Sequence, residues 1–547
     1  MRIAIASALA VIALSSGSWA AGVAATSPAR PRLAVFLVVD GLPQWQVTAY
    51  REQLAADGLR RLLDRGASFS QAYYGHAVTE TAPGHAVMLT GAYPHRTGIV
   101  ANSWLDPAAR KFVSNTGDPA STYLEHKTTE ADGTSPRNLR AETVGDVLRR
   151  RDSRSKVIAI SAKDRSAILT AGHRGTAYIF RAQTGRFDST TYYMNALPPW
   201  VAAFNAGRPA DAYFHREWKP LLGAAAYEKS LPDDQPWFAK GGRLPKKLGE
   251  GQATPGPLFY SEMMGTPYLD ALCLDFALAA IKGESLGRDQ APDILAVSLS
   301  THDFVNHAYG AESRLSHDHV LQLDRLLERF FRDLDATLGK NNYIVVLTAD
   351  HGFMPNPEHS QALGREAGRV SPGQILAKLN AALAPQFGEG RWAVAMSGQA
   401  VAFDRALIAD RGTDAAALAD EVRKWLLAEK YVEAAYTRRE IEDAGASGPY
   451  LEQVRKSWYP ERSGDVAVVL KPNWMYGSST GYTTHGSAHE YDTHVPILFY
   501  GPRWIKPARI EARVEVADIA PTLAKLLRIP APSASEGTLL PLEAPRR

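Results

Sequence analysis

Disulfides are out of reach for this chain, whose 547 residues include one cysteine, Cys273. Stability must therefore come from a packed core or from bound metal. An excess of charge is missing too. The 61 basic and 58 acidic residues leave a formal +3, and no basic run occurs, which argues against nucleic acid or an anionic membrane as partner. No internal repeat is visible, and no apolar run after the first residues is long enough to span a bilayer. The expectation is a monomer with no stable membrane insertion. What remains is ordinary for a globular chain, 45% hydrophobic and 22% charged, so length and composition allow several domains or one large α/β enzyme with insertions.

The first 25 residues read as a signal peptide. Arg2 is a minimal positive segment, Ile3 to Leu14 is apolar but too short to span a membrane, and Ser18-Trp19-Ala20 and Ala24-Ala25 are candidate cleavage sites. The alternative is an uncleaved anchor. No cysteine lies near the end of this export signal, which disfavours a bacterial lipoprotein, and the expected location is the periplasm or the medium. Cys273 falls in Pro267 to Ile281, a helical stretch with Thr266 as N-cap and proline first. A buried structural thiol fits that setting better than a nucleophile.

Four unalternated β-branched runs each end in polar residues. Leu33 to Val39 runs into Asp40, Val157 to Ile160 into Ser161 and Lys163, Ile294 to Leu299 into Thr301 and Asp303, and Tyr343 to Leu347 into Asp350 and His351. Such runs suit strands buried on both faces, as in a parallel sheet. Helical patterns lie between them, at Glu142 to Leu148 and along the stripe Val320, Leu323, Leu327, Phe330, Leu334 and Leu338. The alternation predicts a doubly wound α/β fold with a mostly parallel central sheet flanked by helices, in which ligands bind beyond the carboxyl ends of strands. All four runs place ionisable residues there. Two stretches interrupt the pattern, about 174–265 and about 372–476, and they read as cap insertions over the site within one catalytic domain, 26–547. The second holds an expected helix at Asp414 to Ala428 and strands at Gln399 to Phe403 and Val466 to Leu470.

Asp303 and His307 stand four apart, so on a helix both face one side and can share a metal. Asp350-His351 is a second carboxylate–imidazole pair, and Asp40 a third candidate. Each has a plainer reading, a surface pair for Asp303 and His307 and helix capping for Asp40 and Asp350. Together, at the loop ends of one sheet, they favour a two-metal site. Two ions suit phosphoryl transfer, one at the attacking and one at the leaving oxygen, and a donor set of Asp, Thr and His suits zinc.

Six motifs extend this pattern: Thr81-Ala-Pro-Gly-His85, Gly98 to Asn102, Ser161-Ala-Lys-Asp-Arg165, Asp303-x-x-x-His307, Ala349-Asp-His-Gly352 and Thr484-His-Gly486. In this order the chain resembles the alkaline phosphatase superfamily over essentially its whole length after the signal segment. It looks closest to the bacterial phosphate-insensitive zinc alkaline phosphatases with a threonine nucleophile. The resemblance implies an alkaline-phosphatase-like fold, two zinc ions, and hydrolysis of small phosphate monoesters through phosphothreonine. It makes Thr81 both nucleophile and zinc ligand, where the residue alone could equally be a helix N-cap. It assigns one zinc to Asp40, Thr81, Asp350 and His351 and the other to Asp303, His307 and His485. His489 and His494 compete with His485 by proximity in sequence, and His85 and His302 read as structural. Asn102, Lys163 and Arg165 resemble the family's phosphate-binding groups, against the plainer reading of a solvated charge cluster after a strand. Asp164 points away if that segment is extended.

Two other functions compete. A nucleotide pyrophosphatase/phosphodiesterase of the same superfamily shares the metal ligands, Thr81 and Asn102, and Lys163 with Arg165 is the discriminating feature, because a monoester carries an extra charged oxygen. A non-catalytic exported protein that binds zinc or phosphate is the alternative from another class. The superfamily's sulfatases need a C/S-x-P-x-R setting that Thr81 lacks, and its phosphoglycerate mutases use serine.

Overall fold

An apolar run without alternation must lie where both faces are covered, and Leu33–Val39 (β1) is buried at all seven positions in the computed structural model. The structure describes residues 30–545, so the expected signal peptide lies outside the described residues. β1 is the middle strand of a nine-stranded sheet. The others are Ala67–Tyr73 (β2), Val157–Ser161 (β3), Thr176–Arg181 (β4), Arg186–Asp188 (β5), Asp293–Leu299 (β6), Tyr343–Thr348 (β7), Ile497–Tyr500 (β8) and Ala508–Glu515 (β9). Their spatial order is β9-β2-β8-β7-β1-β6-β3-β4-β5. β7, β1, β6, β3 and β4 run parallel, while β8 and β5 are antiparallel to their neighbours.

Register places the site. Val39 pairs with Leu299, Val38 with Thr348, and Ser298 with Ser161. The chain therefore leaves four adjacent strands at one edge of the sheet, carrying Asp40, Asp303, Asp350 and Lys163. This is the edge where doubly wound sheets bind ligands.

Helices cover the faces. Thr81–Thr90 (α1) is buried throughout, Asp164–Ala171 (α2) follows β3, and Thr301–Tyr309 (α4) follows β6. Pro267–Gly283 (α3) starts with Thr266 at the N-cap position and buries Cys273, whose thiol pKa burial pushes well up. In Arg314–Leu338 (α5) every residue of the expected apolar stripe is buried, and the Ser313 side chain caps the start. Among the described residues no single helix is long and apolar enough to cross a membrane.

Residues 372–476 form a separate layer with its own buried cluster, which includes Leu379, Trp392, Val422, Leu426 and Val468. It contains a four-stranded antiparallel sheet and a helix at Ala415–Ala428, one residue shorter than expected because Asp414 is its cap. The stretch 174–265 differs from expectation: its first residues supply β4 and β5 to the main sheet. β5 has only three residues, too few to leave a period in the sequence. The remainder packs on α4 and α5, where Trp218 donates to Asp318 at 2.6 Å and Ala239 N–H to the Ala308 carbonyl at 2.8 Å. None of it lines the cavity beside the site.

Candidate active site

Asp303 and His307 sit one turn apart on α4, as their spacing predicts, with His307 Nε2 3.4 Å from Asp303 Oδ1. Asp350 and His351 follow β7 where regular structure ends. His351 Nε2 lies 3.3 Å from Asp350 Oδ2 and 3.5 Å from Asp40 Oδ1. His485 comes from the distant loop before β8, and its Nε2 reaches within 3.5 Å of Asp303 Oδ1. The competing histidines point elsewhere, His489 to the Leu470 carbonyl and His494 to that of Ser70. Two glycines allow this convergence. Gly41 turns with φ +71° against Asp303, and a Cβ on Gly84 would stand 2.2 Å from the Asp350 carbonyl oxygen.

All three imidazoles present the same face. His351 Nδ1 bonds the Gly352 carbonyl at 2.9 Å, His307 Nδ1 that of Thr483 at 2.7 Å, and His485 Nδ1 that of Thr79 at 2.9 Å. A carbonyl only accepts, so each Nδ1 carries the proton and each Nε2 offers a lone pair. Those lone pairs face carboxylate oxygens, an arrangement that repels without a cation. Asp40 Oδ1, Asp303 Oδ1, Asp350 Oδ2 and His351 Nε2 are buried with no hydrogen-bond partner. Ligand atoms of Asp40, Asp350 and His351 lie within 4.8 Å of one another, as do those of Asp303, His351 and His485. Oxygen and imidazole donors in this pattern, each imidazole anchored through its other nitrogen, fit zinc.

Burial keeps His485 well below the usual imidazole range and lowers His351 as well, so both stay neutral ligands. Asp40 moves up, through burial and then the Asp350 charge. Burial would also raise Asp303, but His307 and Lys163 outweigh it and hold it well down.

Thr81 opens α1 and caps nothing. The N-cap position belongs to Glu80, and no side-chain cap bond is made. The capping alternative is thereby set aside. Asn102 Oδ1 accepts the Ala82 N–H at 2.9 Å, so its remaining donors are on Nδ2, and its own N–H donates to Glu80 Oε2 at 2.7 Å. Lys163 Nζ lies 2.5 Å from Asp303 Oδ2 and 2.8 Å from Asp40 Oδ2. Burial opposes its charge, but Asp303 and then Asp40 outweigh it and raise its pKa. Arg165 stands on the first turn of α2 with a buried, unpartnered Nε. The segment between them is helical rather than extended, because Asp164 begins α2. Asp164 still points away, accepting the Gly133 N–H at 2.6 Å.

Several contributors were not visible in the sequence. Glu80, whose carboxyl burial raises, ties Asn102 to the start of α1. Asn306 donates to the Gly41 carbonyl at 3.0 Å and accepts from Ser316 at 2.6 Å. Behind them a buried chain runs from Asp270 through His319 and His302 to Gln46 and on to Ser316. It fixes α4, and with it Asp303 and His307, to α3 and α5. His302 is structural, as expected, and so is His85, which bonds the Thr81 carbonyl and Ser298. Only Asn306, inside the Asp303 to His307 spacing, had a sequence position that could have flagged it.

The chain matches the type I phosphodiesterase / nucleotide pyrophosphatase family over residues 34–492. It is 34% identical over 524 residues to the alkaline phosphatase PhoV of Synechococcus elongatus, spanning 94% of this chain and 92% of that protein. It is also 34% identical over 515 residues to the alkaline phosphatase PafA of Elizabethkingia meningoseptica, with 93% of each covered. The crystal structure of wild-type PafA superposes with a TM-score of 0.87, at 33% identity and over 93% of this chain and 98% of that one.

Proposed function

The chain belongs to the type I phosphodiesterase / nucleotide pyrophosphatase family and is an alkaline phosphatase that hydrolyses phosphate monoesters; from that premise we propose that it is an exported, two-zinc enzyme with Thr81 as nucleophile. The observation that carries the proposal is the meeting of buried, unpartnered ligand atoms at the strand ends where α1 begins with Thr81. A solved PafA variant carries substitutions at a threonine, an asparagine, a lysine and an arginine, spaced to within one residue as Thr81, Asn102, Lys163 and Arg165 are here. That parallel supports the same four positions.

Asp40, Thr81, Asp350 and His351 would hold one zinc, and Asp303, His307 and His485 the other, supplying positive charge at the attacking and leaving oxygens. Thr81 Oγ1 loses its proton to solvent and forms the bond to phosphorus as the ester oxygen leaves with its electron pair and takes up a proton from solvent to become the alcohol. Water then attacks the phosphothreonine, releasing inorganic phosphate and restoring the threonine. The chain's own groups orient the ester. Asn102 Nδ2 and the fork of Arg165 bond non-bridging oxygens. Lys163 has three N–H donors, gives one to Asp303 and forms an ion pair with Asp40, which leaves N–H capacity for the phosphate. The helix N-terminus at Thr81 adds favourable dipole toward an anion. Small phosphate esters are the proposed partners, and the apolar segment Ile3 to Leu14 supports export.

The test pairs an aryl phosphate monoester with a diester, measuring kcat/KM on protein of known zinc content. Monoester preference with about two zinc ions per chain is the expected outcome. A diester preference would favour the phosphodiesterase reading, which the family match keeps in view.

A further inference from the structure

Between the catalytic centre and the cap lies a cavity of about 310 Å³ that the chemistry described so far does not use. Its inner end is formed by Glu80 and His485, next to Thr81 and the metal-ligand cluster. Its walls come from three separate parts of the chain and mix large apolar and aromatic side chains with polar ones such as Ser103, Gln399 and Thr484. The cap gives Met396, Trp474 and Tyr476, the hairpin of Ser103–Asp106 and Lys111–Ser114 gives Phe112, and the loop carrying His485 gives Tyr482.

We infer that this cavity is the leaving-group subsite and that it selects neutral aromatic alcohols; the inference rests on the phosphomonoesterase reading of the adjoining site. Three observations support it. Phe112 is 51% exposed and Tyr482 42% exposed at the mouth, and large aromatic surface left in water is costly unless something covers it. Tyr482 stacks on His307 with ring centroids 4.9 Å apart and 5° between planes, so its ring has a fixed orientation against which a second ring can stack or pack edge-on. Ser103 and Thr484 line the same cavity, which brings hydroxyl groups to it for a substituent on the ring. Apolar walls with a few convergent polar groups are the usual make-up of a small-molecule site. A short polar alcohol would leave those walls uncovered and gain nothing from them.

The experiment compares benzyl phosphate with methyl phosphate, whose alcohols differ little in acidity, so that the ratio of kcat/KM reports binding of the ring. On zinc-loaded native enzyme the ratio should favour benzyl by about tenfold, equivalent to about 1.4 kcal/mol. The double substitution Phe112→Ser with Met396→Ser should bring the ratio close to one, mainly through KM for the benzyl ester. Phe112→Ser alone, at an exposed hairpin side chain, should reduce it severalfold and covers the case in which the double variant does not fold. A native ratio near one, or a ratio unmoved by both variants, overturns the subsite. Failure to turn over either ester overturns instead the phosphatase reading beneath it.

Discussion

The ring of His485 lies flat on that of His351, with centroids 3.3 Å apart and 10° between planes. The two residues come from loops after different strands, yet each sends Nδ1–H to a backbone carbonyl and Nε2 toward the same Asp303 Oδ1. Stacking two neutral imidazoles with parallel lone pairs makes sense only where bound cations draw those lone pairs in.

His485→Ala should therefore lower the zinc content from about two to about one per chain while the protein stays folded. Losing one of three protein ligands costs metal affinity steeply, because the remaining set no longer satisfies the ion. Chelation of the native protein should abolish turnover and lower Tm, since ligands gathered from five segments couple metal binding to folding and no disulfide compensates. Zinc analysis and a melting curve check both. An unchanged two-zinc content in His485→Ala would remove it from the ligand set.

Thr81→Ala should reduce phosphomonoesterase turnover by at least about 10⁴-fold, the order seen when a nucleophile that acts as a unit with its activating groups is lost. Thr81 caps no helix, so the fold and most of the zinc should survive. Acid quenching of native enzyme with ³²P-labelled substrate should trap phosphothreonine at this position. A label on any other residue would falsify the assignment.

Much of this site could be read before the structure, and for physical reasons. Strands buried on both faces leave unalternated runs, so β1, β3, β6 and β7 and the residues just beyond them were visible. The four-residue spacing of Asp303 and His307 needs only a helix, and α4 supplies it. Contacts between distant segments left no period. The stacking of His485 on His351, the bond from Asn102 to Glu80, and the chain Asp270–His319–His302–Gln46 depend on which loops meet in space. β4 and β5 leave no such signal, because short strands at a sheet edge, followed by irregular aromatic-rich chain, carry no alternation long enough to count.

Asp492 gives the loop of His485 a pH dependence. Its Oδ2 accepts the N–H groups of Gly486 and Ser487 at 3.1 and 2.8 Å and the Ser487 hydroxyl at 2.5 Å. Burial pushes its pKa up to about 7. A carboxyl raised on folding favours the protonated native state, so its contribution is fully present below about pH 4 and is lost as pH rises toward 7. That loss is at most roughly 4 kcal/mol. Asn keeps an acceptor for the two amides and removes the charge. The Tm of Asp492→Asn relative to native should thus rise between pH 5 and pH 8, and a difference that is flat or falls with pH would refute the assignment.

Lys163 and Arg165 decide between monoesterase and diesterase chemistry. A monoester dianion presents more charge on its non-bridging oxygens than a diester monoanion, one of whose oxygens carries an organic group. Donors aimed at those oxygens contribute on the order of 2 to 4 kcal/mol each to the transition state in a partly dry site. Replacing both by alanine should therefore cost monoester kcat/KM roughly several hundredfold or more. Lys163 adds a second effect, because its ammonium also sits between Asp40 and Asp303. Its loss leaves two buried carboxylates without their cationic partner, a vacancy in charge that a metal ion fills, so the double variant should stay metal-loaded. The informative quantity is the ratio of kcat/KM for a monoester to that for a matched diester, at equal zinc content. It should collapse toward the diester in Lys163→Ala with Arg165→Ala. Equal losses on both substrates would mean that these residues act through general structure, and the monoesterase assignment would lose the support they give it.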